Sequence, residues 1–151
     1  MIFEFGHQKV DIDVEKTRQF YHDAYEIDCT CDGCVNFGKA VDTLPVSANT
    51  FFEDLGIDLK KATEIYVCCQ NDDGSLLYGG FCHVCGTILD SDSFWGEMAQ
   101  KGNDPFHVCP HFSVYFHNRV DYPHKENFPK PVIQLEFFGN IPWVLDKPCD
   151  Y

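Results

Sequence analysis

Apolar and polar positions alternate in two short runs at the start of the chain, Ile2 to Phe5 and Lys9 to Asp13, on either side of Gly6-His7. That period of two, broken by a turn, predicts a β-hairpin. The period then changes. Val14, Thr17, Phe20/Tyr21 and Ala24 recur at helical spacing, with Asp11 or Asp13 placed to cap the helix. After an irregular stretch from Ile27 to Asp32, Cys34, Phe37, Val41 and Leu44 repeat the helical spacing up to Pro45. A third helix is expected over Ser47 to Leu55, with Ser47 as its cap and Gly56 as its stop.

Beyond residue 62 the pattern is that of strands. Thr63 to Gln70 and Ser75 to His83 flank Asn71-Asp72-Asp73-Gly74, an Asp-Gly hairpin signal. Thr87 to Leu89 continues the sheet after Gly86. Ser91 to Pro105 is polar and loop-like, with one helical turn near Trp95 to Gln100. His107 to Phe116 alternates and predicts one strand, bulged or at an edge because of Pro110. Asp121 to Pro131 is a loop, Val132 to Phe138 a strong strand, and Ile141 to Leu145 a further short one. Helices in the first third followed by strands predict an α+β fold, with two or three N-terminal helices and a mostly antiparallel sheet. Nothing marks an internal boundary, so residues 1–151 are expected to form a single domain.

Charge narrows the partners. The chain carries 24 acidic and 11 basic residues, a formal net charge of -13 spread through both halves. A field of that sign repels nucleic acids and anionic lipid surfaces and attracts cations or a basic protein. Apolar runs are far short of a bilayer span, and no secretory signal is visible. A cytoplasmic location is therefore expected, with thiols kept reduced.

Nine cysteines in such a chain point to metal or thiol chemistry. Cys29-Thr-Cys31-Asp-Gly-Cys34 and Cys82-His-Val-Cys85-Gly each contain a C-x-x-C pair. Two such pairs commonly supply the four ligands of a tetrahedral zinc site. The expected set is Cys31, Cys34, Cys82 and Cys85, with Cys29 or His83 able to replace one member. Gly33 and Gly86 are expected to let the backbone turn close to the Zn2+ ion. The competing reading makes several of these thiols small buried core residues, which suits Cys68 and Cys69 best. Cys149 is expected to take no part. A redox dithiol at Cys82 and Cys85 is a further alternative.

His107, Cys109 and His111 lie at period two and would share one face of a strand, as would His117, forming a second possible ligand set. A wet strand face gives the same pattern, and Cys109 or His111 could instead complete the first shell. Asp11/Asp13 and Asp90/Asp92 are expected to be cap or loop acids. Phe137, Phe138 and Trp143 are expected to pack in the core. No glycine-rich phosphate loop, H-E-x-x-H helix or G-x-S-x-G elbow occurs.

Cys29-x-Cys31-Asp32-Gly33-Cys34-x-Asn36-Phe37, Tyr78-Gly79-Gly80-Phe81 leading to Cys85-Gly86, and Pro131 to Glu136 with Ile141 to Leu145 resemble a family of small uncharacterised bacterial proteins. The resemblance runs nearly end to end. It implies a bacterial cytosolic protein and brings no assigned activity. The expected function is a zinc-stabilised interaction or inhibitor-type module for a basic partner. The alternative is a metal-dependent or thiol-based enzyme built around the C-x-x-C clusters.

Overall fold

The computed structural model describes residues 1–89, 105–121 and 128–151. The polar stretch after Asp90, with its expected helical turn and the Asp90/Asp92 pair, lies outside them, as does most of the loop before Phe128.

Among the described residues, three helices and seven strands form an α+β fold with a mostly antiparallel sheet. Strands β1 (Ile2–Phe5) and β2 (Gln8–Ile12) make the expected hairpin. Helix α1 spans Val14–Asp23, and the Asp13 carboxylate caps it by accepting from the Lys16 amide. Helix α2 spans Asp32–Ala40, and a short 3-10 turn at Val41–Thr43 follows it before Pro45. Helix α3 covers Val46–Asp54. Here the expected cap is corrected: Pro45 holds the N-cap position with no side-chain bond, and Ser47 lies inside the helix. Gly56 does end the segment, at φ +79°, and a Cβ there would strike Val14 O and the Arg18 amide of α1.

β3 (Glu64–Gln70) and β4 (Leu76–Ile88) pair across the Asp73-Gly74 turn, with an irregular register between Val67 and Cys69. β5 (Phe106–Cys109) and β6 (Phe112–His117) form a hairpin. That corrects the single strand expected there. His111 takes φ 64° at the turn, so the chain reverses beside Pro110. The expected irregularity and edge position are both present: the register shifts between His107 and Cys109, and β5 ends the strand order. β7 (Val132–Ile141) is one strand through Gly139, and it extends past the end expected at Phe138.

The strand order is β1-β2-β4-β7-β6-β5, with β3 also paired to β4. β4 is the longest strand, and its neighbours change along it. β3 covers one edge as far as Phe81, and β2 takes over from Gly86. Between them the backbone of His83 and Cys85 faces α1. Tyr21 Oη donates to His83 O at 2.8 Å and accepts from His83 N at 3.2 Å. Thr17 Oγ1 accepts from Cys85 N at 3.1 Å, and Asp13 N donates to Cys85 O at 2.8 Å. Tyr21 and Thr17 are four apart, hence on one helix face. Their hydroxyls satisfy backbone groups that a missing strand would otherwise leave bare.

The core lies between the helices and one face of the sheet. Phe37 of α2 and Phe52 of α3 meet Tyr78, Phe112 and Phe137. Phe137 is fully buried there, while Trp143 packs partly exposed at the margin. Among the described residues, no helix is long and apolar enough to cross a membrane.

Candidate metal centre

Helix α2 organises the first cysteine cluster. Cys31 is its N-cap, in extended backbone, and the Sγ accepts from the Cys34 amide at 3.5 Å. One turn of helix thereby brings Cys34 back over Cys31. Cys29, two residues earlier, reaches the same point, with its Sγ 3.3 Å from that of Cys31. The three sulfurs all lie within 4.8 Å of one another. Sulfurs on one tetrahedral zinc at ~2.3 Å would be about 3.8 Å apart. One pair at 3.3 Å and all three within 4.8 Å put the cluster near that spacing, and soft thiolates suit zinc-like ions.

The surroundings hold this turn firmly. Asn36 is fully buried: it donates to Tyr78 Oη at 3.2 Å and Pro142 O at 3.1 Å, and accepts from the Val144 amide at 2.7 Å. Tyr78 Oη donates to Gly33 O at 2.7 Å, and burial pushes its pKa up to about 12. Tyr151 Oη accepts from the Gly33 amide at 2.9 Å, and Lys147 pairs with Asp32 at 2.9 Å. The C-terminal segment is thus tied to the first turn of α2. Gly33 is needed for that contact. A Cβ there would lie 2.7 Å from Tyr151 Oη and 3.1 Å from Val67 Cγ2. Its role is space for the tail, not freedom to turn around an ion.

The thiols differ in electrostatics. The Cys34 amide, aimed at Cys31, holds the Cys31 thiol below its ordinary value, and the Cys29 thiol adds to this. Burial pushes Cys34 up to about 12, and the neighbouring Cys29 and Cys31 thiols act in the same direction. Cys29 and Cys31 are exposed, Cys34 half-buried. A proton leaves Cys31 more readily than Cys34, and a cation bound between them would draw both into the thiolate form.

Cys82 and Cys85 do not join this cluster, which corrects the expected four-cysteine grouping. Both lie inside unbroken β4, paired with Leu135 and Val132 of β7. Three positions apart on a strand, their side chains point to opposite faces and cannot grip one ion together. Both are buried, and burial raises the Cys85 thiol. Gly86 is no knuckle hinge. A Cβ there would strike Asp11 O, so its role is the close approach of β2. Cys68 and Cys69 are exposed on β3, Cys109 is buried at the end of β5, and Cys149 is half-buried in the C-terminal segment. The β5–β6 reversal also separates His107 and His111 onto different parts of a hairpin, so the period-two ligand set does not form.

A second cluster of ligand-type groups appears where only fragments were legible. His117, Asp121 and Glu136 place ligand atoms within 4.8 Å of one another. Gln134 and Glu136 stand two apart on β7, a period-two signal inside Val-Ile-Gln-Leu-Glu-Phe that an apolar reading of the strand passes over. In the sequence His117 stands out only by its parity with His107.

Comparison with family models, curated proteins and solved structures finds no match to this chain.

Proposed function

We propose that Cys29, Cys31 and Cys34 bind Zn2+ as thiolates, and that the protein is a metal-stabilised interaction module. The convergence of the three sulfurs at the N-terminus of α2 carries this reading. A zinc ion there would fasten the irregular segment before α2 to the helix. The Asn36, Tyr78 and Tyr151 bonds already dock that helix turn to the sheet and the C-terminal segment. Three protein sulfurs leave a fourth position for water or a partner's donor atom. Support for a basic partner is the net charge of -13, because complementary fields speed association.

The same turn supports a second reading. Cys31 is exposed with a lowered thiol pKa at a helix N-cap, and Cys34, three residues on, is half-buried with a raised one. An accessible, readily ionised thiol beside a shielded one is the layout of a reversible dithiol.

One experiment separates these. Zinc content and thermal melting are measured for the reduced protein, for Cys34→Ser and for Cys149→Ser, before and after chelation. The zinc reading expects Cys149→Ser to keep its metal and Cys34→Ser to lose it, with chelation lowering the melting temperature of the parent. Equal metal content and melting in the two variants would contradict it. A metal-free parent that forms a Cys31–Cys34 disulfide in a glutathione redox buffer would establish the dithiol instead.

A further inference from the structure

We propose that His117, Asp121 and Glu136 form a second cation site, independent of the cysteines, for a divalent first-row transition ion. Sheet register builds it. His83 of β4, Gln134 of β7 and His117 of β6 stand directly opposite one another in one row across three strands. Glu136 lies two residues along β7, hence on the same face. Asp121 follows β6, and its amide donates to Gln134 Oε1 at 2.8 Å.

The three candidate ligand atoms converge on one electropositive point. Gln134 Nε2 lies 3.1 Å from Asp121 Oδ2, 3.3 Å from Glu136 Oε1 and 3.3 Å from His117 Nε2. An amide nitrogen has two hydrogens for three such neighbours. His117 Nε2 is also 3.1 Å from Glu136 Oε1. One imidazole nitrogen and two carboxylate oxygens gathered this closely are the donor set of a borderline cation such as Mn2+, Fe2+, Co2+ or Zn2+. Mg2+ is less suited, since it prefers oxygen donors and keeps several waters.

Burial and charge favour the same occupant. The His117 side chain is 2% exposed, whereas those of Glu136 and Asp121 are 24% and 26% exposed. The site is therefore closed on the imidazole side and open on the carboxylate side, where an ion can enter. Two partly buried carboxylates need compensating charge. Arg119 supplies one cation, with Nε 2.7 Å from Asp121 Oδ1. A divalent ion would more than offset the one negative charge that remains. Gln134, held by the Asp121 amide and by His83 Nε2 at 3.2 Å, then belongs to the surrounding layer that orients the ligands.

The test uses the full chain with Co2+ and Mn2+ as probes. Co2+ on thiolates gives intense sulfur charge-transfer bands, so the two sites are distinguished in one spectrum. Mn2+ disfavours thiolates and is followed by its paramagnetic resonance signal. The proposal expects Mn2+ to bind the parent and the Cys29→Ser/Cys31→Ser/Cys34→Ser variant alike. Glu136→Gln and Asp121→Asn keep side-chain shape, and each should weaken Mn2+ binding by at least about tenfold, the scale that outer-layer changes alone produce. The same two variants should keep the parent's circular dichroism and a cooperative thermal melt, which shows that they are folded without recourse to the cysteines, and the Co2+–thiolate bands then report on the cysteine reading separately. Absence of Mn2+ and non-thiolate Co2+ binding in the parent, or binding unchanged in Glu136→Gln and Asp121→Asn, would overturn the proposal.

Discussion

At the residue scale, the Cys31 sulfur takes the place that a serine or aspartate oxygen usually fills at a helix N-cap. That position lowers its pKa and, with Cys34 one turn on, makes Cys31-x-x-Cys34 a local chelating turn. The pairing was legible as a spacing in the sequence; its placement at a helix start was not, because the cap residue is a thiol rather than a preferred capping type. Asp13 is the ordinary cap by comparison, and it sets a pH dependence. The Lys16 amide, joined by the Lys16 ammonium, holds Asp13 below its usual 3.8. A carboxylate lowered in the folded state stabilises it above the unfolded pKa, and that stabilisation is lost as pH falls through the folded value. Asp13→Asn keeps a capping oxygen and removes the charge. It should melt below the parent at pH 7, and the gap should close as pH drops below about 3.8, followed by thermal melts across pH. A gap independent of pH would contradict the assignment.

At the scale of elements, β4 explains both what was legible and what was not. Hairpins β1–β2 and β3–β4 announced themselves through alternation around Gly6 and Asp73-Gly74. The middle of β4 did not, because it is buried on both faces from Tyr78 to Gly86. A doubly buried strand loses its polar alternation, so Cys82-His-Val-Cys85-Gly was open to a reading as a turn. The hairpin at Pro110-His111 was hidden for another reason: a histidine, not a glycine, takes the left-handed position. The gap beside His83 and Cys85 gives a direct prediction. Tyr21→Phe removes the hydroxyl that serves both His83 N and His83 O and leaves buried backbone groups without it. The expected cost is ~1–3 kcal/mol, read from denaturant unfolding. A change within experimental error would mean that water or a backbone shift serves His83 as well as the tyrosine does.

For the whole molecule, the sheet separates two kinds of chemistry. The thiol cluster lies on the helix-capping turn, tied by Asn36 and Tyr151 to the far end of the chain. The imidazole and carboxylate cluster lies on β6, β7 and the segment after β6, on the opposite face from the Phe37–Phe137 core. An α+β class with helices first was legible because the period changes from 3.6 to 2 along the chain. Which cysteines meet was not, because that depends on strand register between residues about fifty positions apart. The cluster that does form spans only six residues and needs no such register.

X-ray absorption at the zinc edge reads sulfur ligation by Cys29, Cys31 and Cys34 from the metal itself. Protein loaded with one equivalent of Zn2+ should show a shell dominated by sulfur at about 2.3 Å, reduced in Cys34→Ser. A shell of nitrogen and oxygen alone at about 2.0–2.1 Å would contradict it and place the ion elsewhere in the molecule.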